Sequence, residues 1–219
     1  MQTTNASKKS ANAQSTREKI IDAARKLVNS KGFHAMRTAE LAVEAGINNA
    51  LIYRHFRSKD DIILVVAEQF TDAQIRQRRA ILEAATRGEL SVFDAIKDLA
   101  YKRLVNSELG LFFEILAESC RNPVMAECMR IVTGEYRETI RQIATLARPD
   151  ASPDELDVYV DLMMACFLGL GYRPAIGIAD DAEKTSSKIA HVLMKTLGVA
   201  EPPQRKAKSS SASRSSRGA

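Results

Sequence analysis

Tryptophan is absent from this 219-residue chain, and aromatic residues of all kinds make up only 5% of it. Six prolines and ten glycines are too few for the turns of an all-β protein and favour a mostly helical one. The three cysteines, Cys120, Cys128 and Cys166, stand in no CxxC or metal-ligand spacing. On one helix Cys120 and Cys128 would lie about 12 Å apart along the axis, beyond disulfide reach, and Pro123 separates them. They read as small buried hydrophobes in a reducing compartment, with a thiol sensor as the alternative. No apolar run reaches the roughly 18 residues of a membrane span. Lys8 and Lys9 are followed by no apolar stretch of the signal-peptide kind, so a cytoplasmic location is expected. Equally missing are a Gly-rich phosphate loop, a GxSxG elbow, paired catalytic carboxylates and any metal-ligand cluster. These absences argue against an enzyme and give no reason to expect a cofactor or a metal.

The charge that is present is unevenly placed. The net charge of +5 arises in the two tails, where Lys8, Lys9, Arg205, Lys206, Lys208, Arg214 and Arg217 face no acidic residue. Residues 16–62 hold nine basic against six acidic side chains, a net of +3, whereas residues 63–201 hold 16 against 21, a net of −5. A basic head on an acidic body points to a polyanion as the partner of the head.

Residues 1–15 are polar, and residues 202–219 are low-complexity, basic and Ser-rich; both are expected to be disordered. The C-terminal tail suits either solubility or non-specific attraction to phosphate. Between the tails the apolar period is helical throughout, with no alternating strand pattern, and predicts an all-α chain of about nine helices. Thr16 is expected to cap the first helix, which Gly32 ends. The second runs from about Thr38 to Ala45 and the third from Asn49 to Phe56. Ser58 caps a long fourth helix, to about Ala85, with Asp60 and Asp61 in its first turn. Further helices are expected at about 91–106, 109–119, 122–147, 153–172 and 181–197. Ser152-Pro153 followed by Asp154-Glu155 reads as a cap, a first-turn proline and a dipole-matched start.

The second and third helices, joined by the turn Ala45-Gly46-Ile47, have the layout of a helix-turn-helix. A helix reads base edges only through exposed hydrogen-bonding groups, and Asn48, Asn49 and Arg54 supply them. Ala50 permits close approach to the groove floor, and Leu51 suits a thymine methyl. Tyr53, His55 and Lys59 offer donors to phosphate. Ile47, Ile52 and Phe56 are expected to face inward, because so short a helix persists only if packing holds it.

The opening TREKIIDAARKL, Gly32-Phe33, AELAVEAGI and the block LIYRHFRSKDDI together resemble the TetR family of transcriptional regulators. The resemblance implies base reading by Asn48, Asn49, Ala50, Leu51 and Arg54. It implies phosphate contacts by Tyr53, His55 and Lys59, with Thr38 on the backbone at the start of the second helix. This chain departs from the family pattern at Met36 and Arg37, where Thr or Ser is usual, and at Asn48, which must cap the third helix. Arg37 is a candidate to replace a lost hydroxyl–phosphate contact with a charged one.

The resemblance also implies that residues 63–201 hold an effector pocket and a dimer interface, as against a DNA-binding unit at 16–62. Candidate pocket residues are Tyr101, Phe112, Phe113, Leu116, Cys120, Met125, Met129, Tyr136, Met163 and Phe167, with ordinary core as the alternative for each. Arg103, Glu114 and Glu118 are candidate polar anchors. The apolar stripes of the last two helices, Leu156, Tyr159, Val160, Phe167, Leu170, Ile189, Val192, Leu193 and Leu197, are candidates for a four-helix dimer interface. One short recognition helix reads few base pairs, whereas two heads about 34–36 Å apart reach successive major grooves, which predicts a homodimer on a near-palindromic operator. The expected function is a repressor released by a small apolar effector. The alternatives are a regulator or nucleoid factor without an effector, and a small-molecule binding protein.

Overall fold

Thirty residues from Gln2 to Lys31 form α1, the first helix of a computed structural model that describes residues 2–178 and 181–199, with side chains from residue 14. The basic tail expected to be disordered, 202–219, lies outside the described residues. Thr16, expected as a cap, lies inside α1, which continues through the stretch read as a disordered tail. No glycine or proline occurs from residue 2 to residue 31, so no local signal stops the helix. There follow α2 (Thr38–Glu44), α3 (Asn49–His55), α4 (Lys59–Thr86), α5 (Val92–Leu104), α6 (Leu109–Ser119), α7 (Pro123–Ala147), α8 (Pro153–Ala175) and α9 (Ala182–Thr196). The fold is all-α, with nine helices and no strand among the described residues.

Local chemistry fixes most of the helix starts. The Ser58 hydroxyl accepts the N–H of Asp61 at 3.1 Å, and Asp60 and Asp61 occupy the first turn of α4. Ser152 and Glu155 form a reciprocal capping box at the head of α8. Asn122 caps α7 with Pro123 behind it. The helix α8 runs past the expected end at Tyr172 to Ala175, because Pro174 falls in its last turn, where losing one ladder bond does not break it.

Two apolar clusters lie along the molecule. The first joins α1–α4 and is completed by Leu111, Phe112 and Ile115 of α6 and Met125 of α7. The second joins the far end of α4 to α5, α7, α8 and α9. Helix α6 stands at the junction. Its Glu114 carboxylate accepts the N–H of Phe33 at 2.8 Å, Glu118 lies 3.7 Å from the His34 imidazole, and Glu108, just before the helix, pairs with Arg25 at 2.6 Å. Glu114 and Glu118 therefore tie the head to the body, and neither lines the cavity of the body that holds Arg78 and Arg103. Gly32 sits at φ +83° beneath Glu114, where a Cβ would stand 2.8 Å from the carboxylate. Cys120, expected to be buried, is exposed at the C-terminal end of α6, and Cys128 and Cys166 are half-buried.

Candidate nucleic-acid interface and effector cavity

Helix α3 is seven residues long and owes its position to packing. Ile52 (1% exposed) and Phe56 (5%) insert into the head core, and the Arg17 guanidinium lies 5.1 Å above the Phe56 ring. Gly46 at φ +66° makes the turn that swings α3 away from α2. Asn48 is extended, and its Oδ1 accepts the N–H of Leu51 at 3.0 Å. The cap thus consumes the amide oxygen of Asn48 and leaves its NH2 group as the donor for an outside acceptor.

The remaining candidates stand on the outer face. Asn49, Ala50, Tyr53 and Arg54 are exposed, and Leu51 and His55 are half-exposed. The Tyr53 hydroxyl lies 3.4 Å from Thr38 Oγ1, bridging α3 to the first residue of α2. Lys59 Nζ donates to the His34 carbonyl at 3.3 Å, which holds the lysine beside the α1–α2 loop. Arg37 is exposed and precedes α2 without a side-chain capping bond, so its guanidinium is uncommitted there. Arg57, which sequence reasoning did not single out, is exposed as well. Met36 is 1% exposed, so its departure from the family pattern is one of packing and not of surface chemistry. The acids of α2 are offset: Lys26 pairs with Glu44 at 3.2 Å and Lys31 with Glu40 at 3.3 Å. Arg37, Arg54 and Arg57 have no paired carboxylate among the described residues. Such a face attracts phosphate while offering amide and guanidinium groups to base edges.

A cavity of about 270 Å3 enters the body and opens at its surface beside α8, where Ala165 and Leu168 are exposed. Its walls are Phe70, Gln74 and Arg78 of α4, Arg103 of α5, Phe112 and Leu116 of α6, Met129, Val132, Thr133 and Tyr136 of α7, and Met164, Ala165 and Leu168 of α8. Of the candidate pocket residues, the fold brings Phe112, Leu116, Met129 and Tyr136 to it. Met125, Met163 and Phe167 are closed core, Cys120 is exposed, and Tyr101 and Phe113 lie outside the wall. Arg103 does reach the cavity, but Arg78 was not foreseen, since the polar stretch around it reads as a solvated helix face. Arg78 is 7% exposed and Arg103 8%. The Arg78 guanidinium lies over the Tyr136 ring at 3.9 Å, and that of Arg103 over Phe112 at 4.5 Å. Burial, together with the neighbouring Arg103 charge, lowers the Arg78 pKa to about 10, with Tyr136 opposing. Burial likewise lowers that of Arg103 and pushes Tyr136 up to about 12.

The candidate dimer residues are mostly on the wrong face. Leu156, Tyr159, Val160, Phe167, Leu170, Leu193 and Leu197 are all buried inside the single chain and pack in its second apolar cluster. Of that group only Val192, and in part Ile189, face outward. Helix α8, with Ile176 at its C-cap, carries a second stripe, Val158, Leu162, Ala165, Gly169, Tyr172 and Ile176, alternating in steps of four and three, and this one is exposed. Its spacing was visible in the sequence, but Ala165 and Gly169 make it less apolar than the buried stripe beside it.

Residues 20–66 match the family described as bacterial regulatory proteins, tetR family. The HTH-type transcriptional regulator UidR of Escherichia coli (strain K12) is 28% identical over 118 residues, 54% of this chain and 59% of that protein. The uncharacterized HTH-type transcriptional regulator YvkB of Bacillus subtilis (strain 168) is 30% identical over 129 residues, 58% of this chain and 63% of that one. The chain thus spans about three fifths of the length of these curated relatives. A solved protein from Saccharomonospora viridis in complex with choline shares the fold, with a TM-score of 0.69 and 19% identity over 82% of this chain and 95% of that one. Residues 20–66 thus form a head of the tetR-family kind, and the chain as a whole is similar to TetR-type transcriptional regulators in sequence and in fold.

Proposed function

We propose that this protein is a cytoplasmic, ligand-released transcriptional repressor and not an enzyme, binding a near-palindromic operator as a homodimer. The observation that carries the reading is α3: a short helix pinned by Ile52 and Phe56, with Asn49, Ala50 and Arg54 turned outward on a basic head. In this reading residues 16–62 bind DNA and residues 63–201 bind effector and partner. Asn49, Arg54 and the free amide NH2 of Asn48 contact base edges, and Ala50 and Leu51 fit the groove floor. Arg37, Thr38, Tyr53, His55 and Lys59 hold phosphates. The exposed α8 stripe with Val192 of α9 supplies the dimer face, which sets the spacing of the two heads.

The cavity favours an effector over a regulator without one. Phe112 and Leu116 face it from α6, the same helix whose Glu114 holds the Phe33 N–H. A ligand that displaces α6 or α4 changes how the heads sit, and it derepresses only if it prefers the non-binding spacing. Selection of genomic fragments by the purified protein, followed by titration over a salt series, tests the reading. A palindromic motif bound by a dimer is expected; failure to retain any fragment above non-specific affinity would overturn it.

A further inference from the structure

Resting on the reading of the body as an effector domain, we propose that the effector is an amphipathic carboxylic acid, its carboxylate held by Arg78 and Arg103 and its apolar body by the cavity. The two arginines are more than nine-tenths buried, yet neither has a carboxylate partner among the described residues. Among the described residues Arg78 donates only to Gln74, at 3.3 Å, and Arg103 only to the Phe167 carbonyl, at 3.2 Å. One terminal nitrogen of each, Nη1, is buried with no acceptor. The rings of Tyr136 and Phe112 occupy the guanidinium faces, and a ring supplies no acceptor for the N–H edges.

Two like charges buried side by side without an anion are costly, and apolar residues of the same size would be better tolerated in a purely structural role. A carboxylate is the group that fits, since it accepts from guanidinium edges while the aromatic stacks stay in place. The wall around them is otherwise apolar, formed by Phe70, Leu116, Met129, Val132 and Leu168. At the interior packing density of about 0.74, a cavity of about 270 Å3 accommodates an acid of roughly ten to twelve non-hydrogen atoms. Gln74, Arg78, Arg103 and Tyr136 also form one side of a second cavity of about 300 Å3 towards Lys102 and Glu108. There Lys102 is paired with Asp98 and Glu108 with Arg25, so the charges left unmatched at the common wall are the two arginines.

The experiment uses the full chain and three near-isosteric probes, 4-phenylbutyrate, 4-phenylbutanamide and 4-phenylbutylamine, each at millimolar concentration in calorimetric titration. The acid is expected to bind about tenfold or more tightly than the amide, with the amine weakest. In Arg78→Met and Arg103→Met that preference should fall towards unity, whereas Arg78→Lys should keep part of it. Without ligand the Met variants should melt at or above the temperature of the parent chain. Equal binding of acid and amide, preference for the amine, a preference retained in the double Met variant, or no binding of any probe would each overturn the proposal. Fragment binding by the ligand-free protein is measured alongside. If it survives while the acid preference fails, only the effector class is wrong; if the acid binds and no DNA does, the regulator reading fails instead.

Discussion

Asn29, near the end of α1, caps a helix to which it does not belong: its Oδ1 accepts the N–H of Leu111 at 3.0 Å in the first turn of α6. Its Nδ2 donates at 2.9 Å to the Ser107 carbonyl, just ahead of that helix. Glu108, at the cap position of α6 itself, makes no side-chain capping bond, so the start of α6 depends on the head. Replacing Asn29 with Ala removes both bonds, and a loss of about 1–2 kcal/mol in denaturant unfolding is expected. An unchanged midpoint would mean that α6 holds its start without help from α1.

Gly110 lies in the same contact. A Cβ there would stand 2.5 Å from the backbone carbonyl oxygen of Asn29, which belongs to a helix and cannot swing aside. In an ordinary helix position Gly→Ala stabilises by about 1 kcal/mol. For Gly110→Ala the opposite sign is expected, a lower melting temperature. A stabilised variant would show that α1 and α6 separate easily.

On the proposed DNA face, alanine at His55 or Lys59 is expected to weaken all sequences alike and to reduce the salt dependence of binding by about one phosphate contact each. Lys59→Ala also frees the His34 carbonyl, so its fold is checked by circular dichroism. Asn49→Ala should instead change the selected sequence. An unaltered motif from repeated fragment selection would remove Asn49 from base reading.

Leu162 is 40% exposed in the middle of the outward stripe of α8. A glutamate there would place a charge at the centre of the proposed dimer face, and Leu162→Glu is expected to sediment as a monomer while keeping the helical content of the parent. A persistent dimer would move the interface elsewhere.

The capping box of α8 gives a pH signature. Glu155 accepts the Ser152 N–H at 2.8 Å and its hydroxyl at 2.9 Å, and these bonds hold its carboxyl below the usual glutamate range. The folded pKa is below the unfolded one, so the stabilisation is complete above about pH 5 and fades as pH falls through the folded value, starting near the free Glu pKa of about 4.3. Glu155→Gln should therefore be less stable than the parent at pH 7, with the difference shrinking in acid. Melting curves of both proteins from pH 7 to pH 3 check this; a constant difference would show that the charge is irrelevant to the cap.

What depends on neighbours along the chain is legible in the order of the residues. Ser58 and Ser152 start helices because their hydroxyls reach N–H groups three residues on, and Ile52 and Phe56 had to be buried for α3 to exist at all. The block Leu51 to Lys59 lies within the stretch, residues 20–66, that matches the tetR family. Which surface meets which is set by packing between residues far apart in the chain. Helix α8 has two stripes, at 156, 159, 160, 163, 167 and 170 and at 158, 162, 165, 169, 172 and 176; periodicity identifies both but does not say which one the chain itself covers. The same limit hid Arg78. A guanidinium is solvated or buried according to what packs over it, and the residues over Arg78, Tyr136 of α7 and Phe112 and Arg103 around the cavity, come from far along the chain. Burial and the absence of an acceptor belong to three-dimensional packing, and no local pattern encodes them.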